Sequence, residues 1–504
     1  MSRPGVLNTQ ARLSSVVPLA WFSVMLLLVY QIDGQQIYLG QISVVAALFT
    51  AGVYLSFKML RDIPRIGPDF FDPGILFVVF VFLTLGPVAI TTALLVPIRG
   101  FEASALSSLL AKVTWLHLVL LVPFAFTYYA LARLVPPTIS KYRNPEIWTS
   151  SAWIWLALAL TIVSFSIEGS LGLLNTRAAG DSNDIALRFT QSTGLLEGQA
   201  LLHLRRMRGL AIAIAVGVFA ARASSVRIAQ FRLIIVTGVL GVIYFSVFAS
   251  RGFLFSTALG AAAYADIVRW RGRFLNWKTF AIGIVAATAL LQIFTFVEAL
   301  LIGGVIPSLL DLAQVFILDF GIIENSAYVV DWVDRGIAPM QHGKSYLTAL
   351  LSIFPTQMRG QLVELPNWFQ TTISQQHGID YVGMGVGFGF SGVAEGYINW
   401  GSLGVILQGI VLGALGFLIR MTKITQLFRL FAPFLFSATV MLSYVLFRMD
   451  TAGMMSRFKN VAIDTVVLVI LVLIIHEIGQ RASRGLDQRN SYAIKSQSAP
   501  VLWG

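Results

Sequence analysis

The chain has 504 residues, 57% of them apolar and 12% charged, with a mean hydropathy of +0.78. Soluble domains carry about 25% charged residues, so this composition excludes a soluble globular enzyme and points to an all-α polytopic membrane protein. The absence of cysteine excludes disulfides and thiolate metal sites, and the net charge of +12 has to be read loop by loop before nucleic acid is considered.

In chain order, the apolar runs predict about twelve transmembrane helices, at 16–32, 37–57, 74–96, 112–132, 152–167, 208–223, 232–249, 253–268, 279–302, 402–419, 430–447 and 460–478. The first run leads straight into the second without a small-residue cleavage site, so no cleavable signal peptide is expected. With the N-terminus inside, the short inner segments hold most of the lysines and arginines, among them Lys58, Arg61, Arg65, Arg269, Arg271, Arg273 and Lys278. That bias places both termini in the cytoplasm. The expected organisation is a single transmembrane domain over 1–480, outer-face loops at 168–207 and 303–401, and a polar, mobile cytoplasmic tail over 481–504. The long outer loop contains the aromatic-rich stretches "LLDLAQVFILDFG", "SYLTALLSIF" and "PNWF". These predict helices that lie on the outer face and roof a cavity.

Basic residues on the outer side go against the charge bias and need a reason. Arg251, in "ASRGFLFS", precedes a span that is short for a bilayer of about 30 Å. A guanidinium beside a helix N-terminus below headgroup level suits a phosphate. Arg177, in "LLNTRAAGDSND", and Arg448, in "LFRMDTAG", follow other outward-going spans and join Arg251 as candidate ligands of a diphosphate. For Arg205, Arg206 and Arg208 a phosphate role and simple snorkelling to lipid headgroups are equally good readings. For Lys112, Arg457 and Lys459 snorkelling is the better one.

The run "GMGVGFGFSG" (383–392) lacks the Gly-Lys-Ser/Thr of a P-loop, so a nucleotide site is not expected. It leads into Ser391, Glu395 and Asn399, which share one face of a helix at four-residue spacing. A carboxylate entering lipid must face a cavity or a partner, so this stripe is a candidate lining. Gly409, Gly413 and Gly416 read as helix-packing positions. His342 and His377 lie in the large outer loop, and no HExxH, GxSxG or metal-ligand spacing occurs. No metal or cofactor is expected.

"HGKSYLTALLSIFPTQMRG" followed by "GVGFGFSGVAEGYINWGSLGVILQGIVLGALG" resembles the bacterial oligosaccharide repeat-unit polymerases, the Wzy-type O-antigen polymerase family. The resemblance rests on Gly343, Tyr346, Leu347 and Pro355, then on Ser391, Ala394, Glu395, Tyr397, Asn399, Gly401 and Gly404; "NTR" at 175–177 and "SRG" at 250–252 resemble the family's outer-face arginine motifs. Thr356-Gln357 stands where many relatives have Arg after the Pro, and Arg359 is the candidate replacement. The resemblance implies a GT-C-like polymerase/ligase architecture in the bacterial inner membrane with a periplasm-facing site. It also implies a metal-independent glycosyltransferase whose donor and acceptor are both undecaprenyl-diphosphate-linked oligosaccharides. Membrane lipid, a chain-length regulator and a flippase are the implied partners, with no nucleic acid. On that footing Glu395 and His342 are candidate bases for the acceptor hydroxyl, with Asp380 behind them. Arg177, Arg251, Arg448 and Arg359 are candidate diphosphate ligands. Tyr346, Ser391, Tyr397 and Asn399 are candidate sugar-lining residues. A buried tether is an equally good reading of Glu395. The rival functions are an O-antigen ligase with a lipid A-core acceptor and a polytopic transporter of lipid-linked glycans.

Overall fold

The computed structural model describes residues 49–58, 60, 71–85, 103–134, 146–170, 195–248, 252–270, 274–275, 279, 293, 296, 322–354, 365–379, 390–424, 431–443 and 449–497. Among them there is no strand. The helices are α1 (Pro73–Leu85), α2 (Ala103–Leu134), α3 (Ala152–Ser170), α4 (Leu195–Ala221), α5 (Val226–Phe248) and α6 (Gly252–Ala265), followed by α7 (Ile322–Asp334), α8 (Lys344–Leu351), α9 (Leu365–His377), α10 (Gly392–Ile424), α11 (Ala432–Ser443) and α12 (Thr451–Gln497). Five of them, α2, α3, α5, α10 and α12, are long and apolar enough to cross a membrane, and Pro73–Phe82 in α1 is a shorter apolar helix. This is the architecture of a polytopic helical membrane protein. Much of the outward surface is apolar, with Phe126, Trp155, Ile234 and Leu418 well exposed, as lipid-facing positions are.

Small residues let the helices approach closely. Gly409 and Gly413 of α10 face α2, where an added Cβ would lie 2.4 Å from the Leu120 carbonyl oxygen and 2.7 Å from that of Phe124. Their expected packing role is thereby explained by backbone contact with one partner helix. The run Ala261–Ala265 in α6 is buried, and α6 lies against α4 through Gly217 and against α11 through Gly260. At the start of α1, Asp72 accepts from the Gly74 and Ile75 amides and from Tyr128 Oη, and Arg420 Nη1 reaches its other oxygen at 2.8 Å. Arg420 is therefore a buried ion-pair partner that joins α10 to α1 and α2.

Predicted spans 74–96, 112–132, 152–167, 232–249, 253–268 and 430–447 each meet a helix, and 49–57 within 37–57 is helical. The spans at 16–32 and most of 279–302 lie outside the described residues. Two boundaries move. The span predicted at 208–223 is part of α4, which starts at Leu195, so 195–207 is helix rather than loop. The span at 460–478 is the middle of α12, which continues to Gln497, so the polar tail begins as helix rather than as mobile chain. In the first case the charges at 203–208 do not end the helix, because carboxylates on neighbouring helices receive them. Ser164 Oγ, Arg205 Nε and Arg208 Nη1 all donate to Glu168 Oε1, and His203 Nδ1 and Arg206 Nε donate to Asp464. Glu168 and Asp464 are buried, so these contacts bind α4 to α3 and to α12. For Arg205, Arg206 and Arg208 the observed partners are these carboxylates.

Candidate functional site at a helical hairpin

α10 is not one straight helix. At Trp400 the backbone turns to φ −148°, ψ 32°, and at Gly401 to φ 59°, ψ −142°. That second conformation is open to glycine and strained for any L-residue. Beyond the turn the chain folds back on itself: a Cβ on Gly404 would lie 1.9 Å from the Gly396 carbonyl oxygen. Gln408 Nε2 also donates to Glu395 Oε2 at 3.0 Å. In a continuous helix those residues would be about 20 Å apart. The element is a tight hairpin whose first arm is 392–399 and whose second arm is 402–424. The spacing of Gly396, Gly401 and Gly404 is what allows it.

The first arm carries the polar stripe, and each member meets a different element. Ser391 caps the arm by accepting from the Ala394 amide at 3.0 Å, and its hydroxyl meets Ser326 Oγ of α7 at 2.6 Å. Glu395 is fully buried and accepts from four donors: Ser345 Oγ (2.9 Å), Gln408 Nε2 (3.0 Å), and the Thr451 amide and hydroxyl (both 2.7 Å). Thr451 is the first residue of α12, so the carboxylate rests at the positive end of that helix. Asn399 donates to Ser345 Oγ at 2.8 Å and accepts from the Gly343 amide at 2.8 Å. A carboxylate so enclosed ties the hairpin, α8 and α12 together.

His342 stands outside this network and is exposed, in the left-handed region at φ 48°. The strain is held in place because its neighbours are fixed to the end of the first arm. The Gln341 amide donates to the Ile398 carbonyl at 2.8 Å, and the Gly343 amide to Asn399. Gly343 itself is at φ 87°, and the Trp400 ring lies where its Cβ would be. Trp400 stacks on Tyr346 with ring centroids 5.5 Å apart and planes at 14°. Burial, reinforced by the negative charge of Glu395, pushes the Tyr346 phenol above its usual range, and among the described residues Tyr346 Oη has no hydrogen-bond partner. On α8, Ser345, Thr348 and Ala349 face the protein while Leu347 and Leu350 are exposed. The helix thus turns its polar side inward and its apolar side out, as an interface helix does. α8 and α9 occupy two of the three stretches predicted as outer-loop helices, and the third, "LLDLAQVFILDFG" (309–321), lies outside the described residues; α7 is a further helix, which was not predicted.

Tyr397 does not join the Glu395 network. It points to Asp334 at the end of α7, donating to Oδ1 at 2.7 Å. Arg177, Arg251, Arg448 and Arg359, with Asp380, lie outside the described residues; α6 begins at Gly252, directly after Arg251. Among the described residues no group of three or more His, Asp or Glu is arranged to hold a metal ion. The partners that sequence reasoning missed are Ser345, Gln408, Thr451 and Asp334. Two of these carry a signal in hindsight: Gln408 is a lone polar residue in "GVILQGIVLG", and Thr451 follows Asp450 at a helix start.

Residues 276–479 match the family model described as O-antigen polysaccharide polymerase Wzy. Over that stretch the chain is similar to Wzy-type O-antigen polymerases. It contains α7 to α11, the hairpin and its whole network, and most of α12. No curated protein and no solved structure matches the chain. The match and the apolar helices together support a membrane O-antigen polymerase of polysaccharide biosynthesis.

Proposed function

We propose that this protein is an inner-membrane glycosyltransferase of about twelve spans and GT-C-like architecture. In this reading it polymerises undecaprenyl-diphosphate-linked repeat units at the periplasmic face, without a metal. The observation that carries the reading is that the Wzy match encloses the hairpin, its Glu395 network and the exposed His342 held at its turn. The growing chain leaves its lipid diphosphate as the acceptor hydroxyl attacks the anomeric carbon. Arg177, Arg251, Arg448 and Arg359 are proposed to hold the diphosphate and stabilise the charge it gains. His342 is proposed to take the proton of the acceptor hydroxyl, since its side chain is open where Glu395 is enclosed. Glu395, Ser391 and Asn399 hold the frame, and Tyr346 with Trp400 gives an aromatic surface beside it. A chain-length regulator and a flippase are the proposed partners.

The test is reconstitution. Purified protein in liposomes, supplied with lipid-linked repeat unit alone, should yield a ladder of lipid-linked polymer. Transfer only to added lipid A-core would favour a ligase, and flux of intact lipid-linked glycan without new linkage would favour a transporter.

A further inference from the structure

Glu395 is closed off, but a second carboxylate beside the same arm is open. Asp334 ends α7 with its side chain 40% exposed. Its Oδ1 accepts from Tyr397 Oη of the first arm at 2.7 Å, and its Oδ2 pairs with Lys112 Nζ of α2. Lys112 also lies over the Tyr397 ring, 5.2 Å from its centroid. Three elements distant in sequence therefore converge on one exposed carboxylate. Stability explains this poorly, because an exposed ion pair contributes about 0–1 kcal/mol. The tyrosine that aims its hydroxyl at Asp334 is itself nearly buried, so the carboxylate is held on a rigid support rather than left to swing.

We propose that Asp334, positioned by Tyr397 and Lys112, is a sugar-binding carboxylate of the acceptor site. Among the described residues each of its oxygens has one partner, and a carboxylate oxygen can accept a second donor. A pair of neighbouring sugar hydroxyls can donate to the two together, and Lys112 can give its remaining protons to a third oxygen of the sugar. Tyr397 sits one residue before Ile398, whose carbonyl receives the Gln341 amide, and two before Asn399, which receives that of Gly343. Asp334 and His342 thus flank the outer end of the same arm. This inference rests on the polymerase reading, and it assigns the acceptor side to the α7 end of the hairpin. Lys112 is then part of a site rather than an interfacial lysine.

The probe is the free oligosaccharide released by mild acid from the lipid-linked glycan that accumulates in a deletion strain. Without a diphosphate it has no leaving group, so it can act only as acceptor. Calorimetry on full-length protein in nanodiscs should show Asp334→Asn binding this glycan about 10–100-fold more weakly than wild type. Tyr397→Phe keeps the carboxylate and loses its support, so the acceptor KM should rise while kcat moves less. The KM for lipid-linked donor should change by less than about twofold in both variants. Should Asp334→Asn fail to fold, the Tyr397→Phe measurement carries the test. Unchanged glycan affinity or acceptor KM overturns the inference, and so does an equal rise in donor KM. If wild type makes polymer and the variants still bind normally, only this inference falls; a wild-type protein that neither polymerises nor binds the glycan removes the polymerase reading with it.

Discussion

Glu395→Gln keeps the size of the side chain and removes its charge, so it separates a tether from a base. In the wild type, Oε2 takes three donors and Oε1 takes Ser345. A glutamine oxygen at the Oε2 position keeps the Thr451 and Gln408 contacts, but each falls from the charge-assisted range of about 1.5–3 kcal/mol toward about 0.5–1.5. Its amide nitrogen would face Ser345 Oγ, which already accepts from Asn399, so the serine proton loses its acceptor. Relief from burying a charge opposes these losses, which leaves a net cost of about 1–3 kcal/mol. Glu395→Ala strands the Ser345 hydroxyl, the Thr451 hydroxyl and the Thr451 N–H in a buried site, at about 1–3 kcal/mol each, and leaves Gln408 Nε2 its bond to Thr451 Oγ1. The expected result is a graded loss of thermal stability in detergent, Ala well below Gln. Glu395→Gln turnover on lipid-linked repeat units should fall by less than about tenfold, against the 10²–10⁴ expected of a lost general base. A Gln variant that unfolds at the wild-type temperature and yet loses two or more powers of ten in turnover would refute the tether and return the chemistry to Glu395.

The hairpin itself gives a paired prediction. Gly401→Ala meets open space but a strained backbone and should cost about 1–3 kcal/mol, whereas Gly404→Ala drives a Cβ into the Gly396 carbonyl and should abolish both folded yield and polymer; equal stability of the two would contradict the hairpin. Glu168→Ala leaves Arg208, 6% exposed, without that counter-charge and should destabilise the detergent-purified protein by about 3–5 kcal/mol; a neutral result would show that α3 and α4 do not depend on this pair. Arg251→Ala should abolish polymer with insertion intact, and Arg251→Lys should be severely impaired because a point charge cannot reproduce paired guanidinium contacts; wild-type polymer levels from Arg251→Ala would end the leaving-group role. Because the chain has no cysteine, Lys344→Cys should react with an impermeant maleimide from the periplasmic side and Gly272→Cys only after permeabilisation, and the reverse pattern would invert the topology.

The apolar runs were enough to determine a helical membrane protein and the place of most described spans, because a bilayer demands long apolar helices whatever their neighbours are. The stripe Ser391, Glu395, Asn399 and the motif around it were equally legible, since helical periodicity is a local property. What these polar groups bind was not. The reversal at Trp400-Gly401 is invisible to hydropathy, which starts a span at 402 but does not show that the stripe before it folds back against that span, and only the fold brings Gln408 back to Glu395 and Thr451 of α12 beneath it. The same holds for the basic residues of α4, which look like an interface marker until Glu168 and Asp464 are seen beside them. Local pattern reports which residues must leave lipid or water. Which partner receives them depends on contacts between residues far apart in sequence, and these form only when the helices pack.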